Sequence, residues 1–142
     1  MLNASHLLQG KDNAIYHISP EDSVYEAIRQ MAEKSIGALL VLQDDALTGI
    51  VSERDYARNV ILKGRSSKGT RVADIMSQPV ITVSPTATLK ECMHVVTEER
   101  VRHLPVVLDG RVLGVLSIGD LIKAQLDEQA RQIEQLQTYI AG

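Results

Sequence analysis

The sequence contains no tryptophan and no phenylalanine, and its four tyrosines bring the aromatic share to only 3%. With 44% of residues apolar, a packed interior has to be built from valine, leucine, isoleucine, methionine and alanine. Few aromatics also means few platforms for stacking bases, which disfavours a single-strand nucleic-acid binder. Cys92 is the only cysteine, so an intramolecular disulfide and a thiolate metal site are both excluded. Cys92 and His94 lie two apart on a helix and face different ways, and His6 stands alone, so no metal pair is expected. There is no excess of positive charge. The net charge is −3 and the sequence pI about 5.8, the wrong balance for a surface that neutralises phosphate backbones. No apolar run reaches transmembrane length. The opening Met1-Leu2-Asn3-Ala4-Ser5-His6-Leu7-Leu8 lacks the charged start and long apolar stretch of a secretory signal. A soluble, cytoplasmic protein that binds neither membrane nor nucleic acid is the expectation. At 142 residues it has room for one compact domain or for two small repeats sharing a core.

What is present is a duplication. Ser19 and Ser84 are 65 positions apart, and at that offset Pro20, Glu26, Glu33, Leu39, Val41, Asp44, Gly49, Ser52 and Asp55 also meet identical partners without a gap. Most other positions keep apolar character, as Ile28 with Met93, Ile36 with Val101 and Ile50 with Val115. Turn residues, caps and core residues are preserved together, which marks an internal repeat.

Each copy reads the same way. Ala14 to Ile18 and Val80 to Val83 are short strands closed by Ser-Pro, because the residue before proline avoids the helical region. Ser23 with Glu26, and Thr88 with Glu91, are capping boxes that open amphipathic helices. Ile36 to Leu42 is an apolar run of the kind buried on both faces, and a turn at Asp44-Asp45 leads to a second strand, Leu47 to Ser52. A helix is expected from Arg54 to about Lys63, with Ala57, Val60 and Ile61 inward. The second copy follows through Leu104-Pro105-Val106-Val107, Asp109-Gly110 and Gly114 to Ser117, then a helix from Gly119 or Asp120. That helix outruns its repeat through Ile122, Leu126, Ala130, Ile133, Leu136 and Ile140, a narrow apolar stripe suited to its own module or to a second chain. Leu2, Leu7 and Leu8, ending at Gly10, suggest a lead-in helical turn. Gly64 to Thr70 reads as a linker, or as a loop whose Arg65, Ser66, Ser67 and Lys68 fold over a phosphate.

The same device closes both copies. Ser117 and Asp120, like Ser52 and Asp55, put a hydroxyl and a carboxylate where an apolar strand gives way to a helix, a place that caps the helix and can also carry a ligand. Nothing supplies a nucleophile elbow, a Walker loop or a dinucleotide glycine fingerprint, so the reading is non-catalytic.

Taken in this order, the residues resemble the cystathionine-β-synthase (CBS) domain, in two tandem copies that resemble a Bateman module over about residues 10 to 127. Ile36-Gly37-Ala38-Leu39-Leu40-Val41, Ser52-Glu53-Arg54-Asp55-Tyr56-Ala57-Arg58 and Asp74-Ile75-Met76-Ser77 are similar to small stand-alone bacterial CBS-pair proteins. The resemblance implies an α/β (α+β) fold of two βαββα motifs, 10–64 and 74–127, related by a pseudo-twofold axis. A 65–73 linker, a 1–9 lead-in and a 128–142 helical extension complete the chain. It also implies a sensor that binds an adenosine-containing nucleotide in a cleft shared by the two motifs. AMP is the first expectation and NAD(H) the second, with ATP, ADP and S-adenosylmethionine in the same class, and no cofactor is required. A homodimer and a regulated partner enzyme are expected; the alternative is an interaction protein whose nucleotide sites are structural or vestigial.

On that resemblance Asp120 holds the ribose and Ser117 donates to a ribose or phosphate oxygen. Arg102 and His103, ahead of Pro105, resemble a phosphate-meeting basic pair, although strand alternation turns them to opposite faces. The first copy has Gly37-Ala38 there and carries its cation at Arg54 instead, beside Ser52 and Asp55. Ile81, Thr82 and Val83, and His17 and Ile18, occupy the strand that meets the adenine, with Met76 near the cleft; Ile18, Val83 and Met76 are equally well read as core.

Overall fold

The computed structural model describes residues 1–141. In chain order its elements are α1 (Ala4–Gln9), β1 (His17–Ile18), α2 (Val24–Lys34), β2 (Ala38–Gln43), β3 (Ala46–Ser52), α3 (Glu53–Tyr56), α4 (Leu89–Glu98), β4 (His103–Leu108), β5 (Arg111–Ser117) and α5 (Ile118–Ala141). They form two compact units: Ile15–Val80, and Met1–Ala14 together with residues from Ile81 onward.

In the Ile15–Val80 unit, the Ser23 hydroxyl accepts the Glu26 amide at 3.1 Å and starts α2. Helical spacing then buries Val24, Ala27 and Met31. The Glu26 carboxylate does not complete the expected capping box; it bonds to Arg29 on the next turn. Asp44 and Asp45 both take positive φ, 51° and 66°, so a tight two-residue turn matching the right-handed strand twist joins β2 to β3. Ala38 pairs with Ser52, and β1 runs parallel to β2 with Ile18 opposite Val41. Ile18, Leu39, Val41, Val51, Val60, Val72 and Ile75 pack with the α2 face as one core.

The helix expected from Arg54 to Lys63 is instead one α turn followed by a wider π turn over Ala57–Ile61. Its amides reach back five residues, from Leu62 to Ala57 at 3.1 Å and from Arg65 to Val60 at 2.9 Å. Widening the turn buries Val60 but leaves Ile61 exposed, and Ala57 is exposed too, so the inward face is narrower than the sequence suggests. The 64–70 stretch lies against its own unit. The Ser67 and Thr70 carbonyls accept the Tyr25 and Val24 amides at 2.9 and 2.8 Å, satisfying donors that α2 cannot satisfy internally.

The second unit repeats the hairpin at the same offset. His103 pairs with Ser117, Asp109 and Gly110 turn at φ 50° and 78°, and the irregularity falls between Val106 and Val107 as it does between Val41 and Leu42. Thr88 and Glu91 form the full reciprocal cap of α4. Leu89, Cys92, Val96, Leu104, Val106, Leu116 and Leu121 pack with Ala4 and Leu8 of α1. The strand expected at Val80–Val83 shrinks to a single bridge between Val83 and Val106. Proline is the cause. In the first copy the Leu40 amide bonds to the Tyr16 carbonyl at 3.2 Å, but Pro105 stands at Leu40's position and has no N–H to give Ile81.

The segment before each repeat's first strand covers the hairpin of the other repeat, in the same manner both times. Leu8 lies over Gly114 and Met76 over Gly49, where any Cβ would meet their side chains at 2.7 and 2.6 Å. Leu8 and Met76 are 68 apart, three more than the repeat offset, because the lead-ins differ in length.

Candidate functional site

Each hairpin ends at a serine that begins a helix, and the helix returns a carboxylate to that serine. At the end of β3, Asp55 Oδ2 accepts from the Ser52 amide at 2.9 Å and from its hydroxyl at 3.0 Å. The same hydroxyl accepts the Asp55 amide at 3.2 Å. At the end of β5, Asp120 Oδ2 accepts the Ser117 amide at 2.8 Å and Ser117 Oγ accepts the Asp120 amide at 3.1 Å. Both carboxylates are therefore fixed from the main chain and half-buried. An ionised acceptor held this way has a set orientation and can take hydrogen bonds from paired hydroxyls.

The sequence reading missed a third member at each junction. Ser77 donates its amide to the Ile50 carbonyl at 2.8 Å and its hydroxyl to Asp55 Oδ1 at 3.3 Å. In the other unit Lys11 bridges the equivalent pair, with Nζ 2.7 Å from the Val115 carbonyl and 2.6 Å from Asp120 Oδ2. The 65-residue offset could not reveal this equivalence, because Lys11 and Ser77 stand 66 residues apart and supply different chemistry. Burial works to raise the Asp120 carboxyl, but the Lys11 ammonium and the Ser117 donors outweigh it and hold the group below its ordinary range.

The remaining expected residues fall as follows. His103 is half-buried and faces Ser117 across the β4–β5 ladder, so it belongs with the second junction. Arg102 is exposed, and its carbonyl accepts the Ile118 amide at 2.9 Å at the start of α5. Pro105 is buried in β4. Arg54 is exposed in the first turn of α3 beside Asp55. Ile81 and Val83 are half-buried against the core while Thr82 between them is exposed. Ile18 is core, and Met76 packs on the core over Gly49.

Two grooves bear on these residues. One, of about 360 Å³, is lined by His17, Ile18, Asp22, Gln30, Asp44 and Asp45, and none of Ser52, Arg54 or Asp55 lines it. Its three aspartates make it a poor place for a phosphate. The other, of about 540 Å³, runs between α1 and α5 and is lined by Lys11, Asp120, Lys123, Ala124 and Asp127 among others. Asp120 thus opens onto a groove furnished with two lysines. No group of three or more metal-ligating side chains occurs among the described residues, and none of their helices is long and apolar enough to cross a membrane.

The family model of the CBS domain matches this chain twice, over residues 12–61 and 72–127, the two stretches that carry these junctions. The chain belongs to the CBS-domain family. A plant relative, the mitochondrial CBS domain-containing protein CBSX3 of Arabidopsis thaliana, is 41% identical over 127 residues. That match takes in 86% of this chain but only 62% of the plant protein's length. Among solved structures, a CBS-domain protein from Burkholderia ambifaria MC40-6 is 48% identical with a TM-score of 0.85, covering 89% of this chain and 96% of that one. The structure of CBSX2 in complex with AMP is 26% identical with a TM-score of 0.69, covering 91% of this chain and 99% of that one. The CBS pair is a regulatory module, and the mixed α/β fold with its C-terminal helix agrees with these neighbours.

Proposed function

We propose that this CBS pair is a non-catalytic sensor that binds an adenosine-containing nucleotide, AMP first and NAD(H) second, with ATP, ADP and S-adenosylmethionine in the same class. The observation that carries the reading is the serine-held carboxylate repeated in register at Asp55 and Asp120, set where a ribose diol can be met. AMP bound to the related CBSX2 supports the choice of ligand. In this reading Asp120, Ser117 and His103 form the tighter site with Arg102 and Pro105, and Ile81, Thr82 and Val83 meet the base. Ser52, Asp55 and Arg54 serve the other copy, with His17, Ile18 and Met76 nearby. The motifs run 10–64 and 74–127. Lys11 joins the second site, since a nucleotide on Asp120 must share that carboxylate with its ammonium.

A module without its own chemistry reports a ligand only by holding a second protein differently in the two states, so the reading includes a homodimer and a regulated enzyme. The lone thiol, buried at Cys92, suits a reducing compartment such as the cytoplasm. Calorimetric titration of the purified chain with AMP, ATP, NAD(H) and S-adenosylmethionine tests it. Saturable heat with AMP at micromolar concentration is expected, and no heat from any of the four would overturn the reading.

A further inference from the structure

The face of α5 that its own unit does not use is laid out for a partner helix. Leu121, Ala124 and Glu128 turn toward the unit and are buried or half-buried. About a third of a turn away, Ile122, Leu126, Ile133, Leu136 and Ile140 form a separate line, exposed at 45%, 60%, 56%, 62% and 81%. Alternating steps of four and three residues connect that line once Gln129 is included. This is the seam spacing of a supercoiled pair, narrower than the broad stripe that packs on a globular core. In heptad terms Leu126, Ile133 and Ile140 take the first core position, and Ile122, Gln129 and Leu136 the second.

We infer that α5 pairs in parallel with α5 of a second copy of this chain, as a two-stranded coiled coil running from Ile122 to Ile140. At Ile133 and Leu136, isoleucine at the first position with leucine at the second is the combination that favours two parallel strands, although Leu126 and Ile122 reverse it earlier in the helix. Charge also points to self-pairing. The flanking positions are Lys123, Gln125, Ala130, Gln132, Gln137 and Tyr139. Lys123 is the one charge, and in a parallel pair it faces the position of Ile118 rather than its own copy, so identical copies do not repel and no oppositely charged partner is called for. Gln129 sets the direction. In a parallel, in-register pair it meets Gln129 of the other copy and both amides are satisfied; an antiparallel pair would press each against an apolar side chain. The helix is already formed in the single chain out to Ala141, so pairing orders little additional backbone.

This inference rests on the homodimer reading, and the test separates the two. Self-association of the full chain and of Ile133→Asn/Leu136→Asn is measured by light scattering and sedimentation, with circular dichroism to check that α5 persists. We expect a wild-type dimer whose dissociation constant rises about a hundredfold or more in the variant. In a Cys92→Ser background, Leu136→Cys should form an interchain disulfide quickly and Thr138→Cys, on the outer face, should not. A wild-type monomer overturns both readings. A dimer that the double variant leaves intact, or equal cross-linking at 136 and 138, overturns the coiled coil alone.

Discussion

The Lys11 ammonium sits 2.6 Å from Asp120 Oδ2 and 2.7 Å from the Val115 carbonyl, joining the segment before β1 to the junction that closes the second repeat. In the first copy Ser77 does the same with a neutral hydroxyl at Asp55. The two CBS repeats thus share a junction and differ in the charge that completes it.

The ion pair has a pH signature. Asp120 is held below its ordinary value of 3.8 in the folded chain, despite burial that acts to raise it, and its stabilising contribution is therefore present above that value. It fades as pH falls below 3.8 through the folded pKa. Lys11→Met should lower stability at neutral pH by about 0.5–1 kcal/mol, since both side chains are roughly one-third exposed and the pair is partly screened. In thermal melts at pH 7 and pH 3, the gap between wild type and variant should narrow at acid pH. A gap of equal size at both would show that Lys11 acts through packing.

The glycine at each hairpin is a clearance for the covering segment. A Cβ on Gly114 would stand 2.7 Å from Leu8 Cδ2 and 3.0 Å from Asn13 Oδ1. Gly114→Ala should therefore cost about 1–3 kcal/mol in urea unfolding. Leu8→Ala removes the obstructing atom, so the double variant should lose less than the two single losses combined. Strict additivity would mean that α1 does not pack there in solution.

Much of this was readable in advance because the repeat constrains itself. The gapless offset placed both hairpins, both turns and the Ser52–Asp55 and Ser117–Asp120 junctions, since caps, turn residues and apolar alternation all pointed to the same register. What escaped the sequence was long-range. Lys11 and Ser77 contact the junctions from segments whose spacing differs from the repeat, and no local pattern announces a lysine as the partner of an aspartate 109 residues away. The shortened strand at Ile81 was legible in principle, because Pro105 removes the amide that Leu40 supplies. The π turn after Tyr56 follows from how Val60 reaches the core, which only packing reveals.

Cys92 is fully buried, and burial pushes its thiol up from the usual value. It should resist Ellman's reagent in the native protein and react at a rate set by opening of the second unit. Rapid stoichiometric labelling under native conditions would contradict the packing of α4.

The most direct measurement is calorimetric titration of AMP into wild type, Asp120→Asn and Asp55→Asn. Each variant keeps the size and one acceptor oxygen, while the charge that strengthens bonds to hydroxyls is lost, an effect of roughly 1.5–3 kcal/mol. We expect Asp120→Asn to weaken AMP binding by about tenfold to a hundredfold, and Asp55→Asn by less, because Arg102 and His103 have no counterparts in the first repeat. Circular dichroism should show Asp120→Asn folded, with only the modest loss due to Lys11. AMP affinity unchanged in Asp120→Asn, or a variant that unfolds without a separable binding defect, would make the carboxylate structural and contradict the nucleotide site.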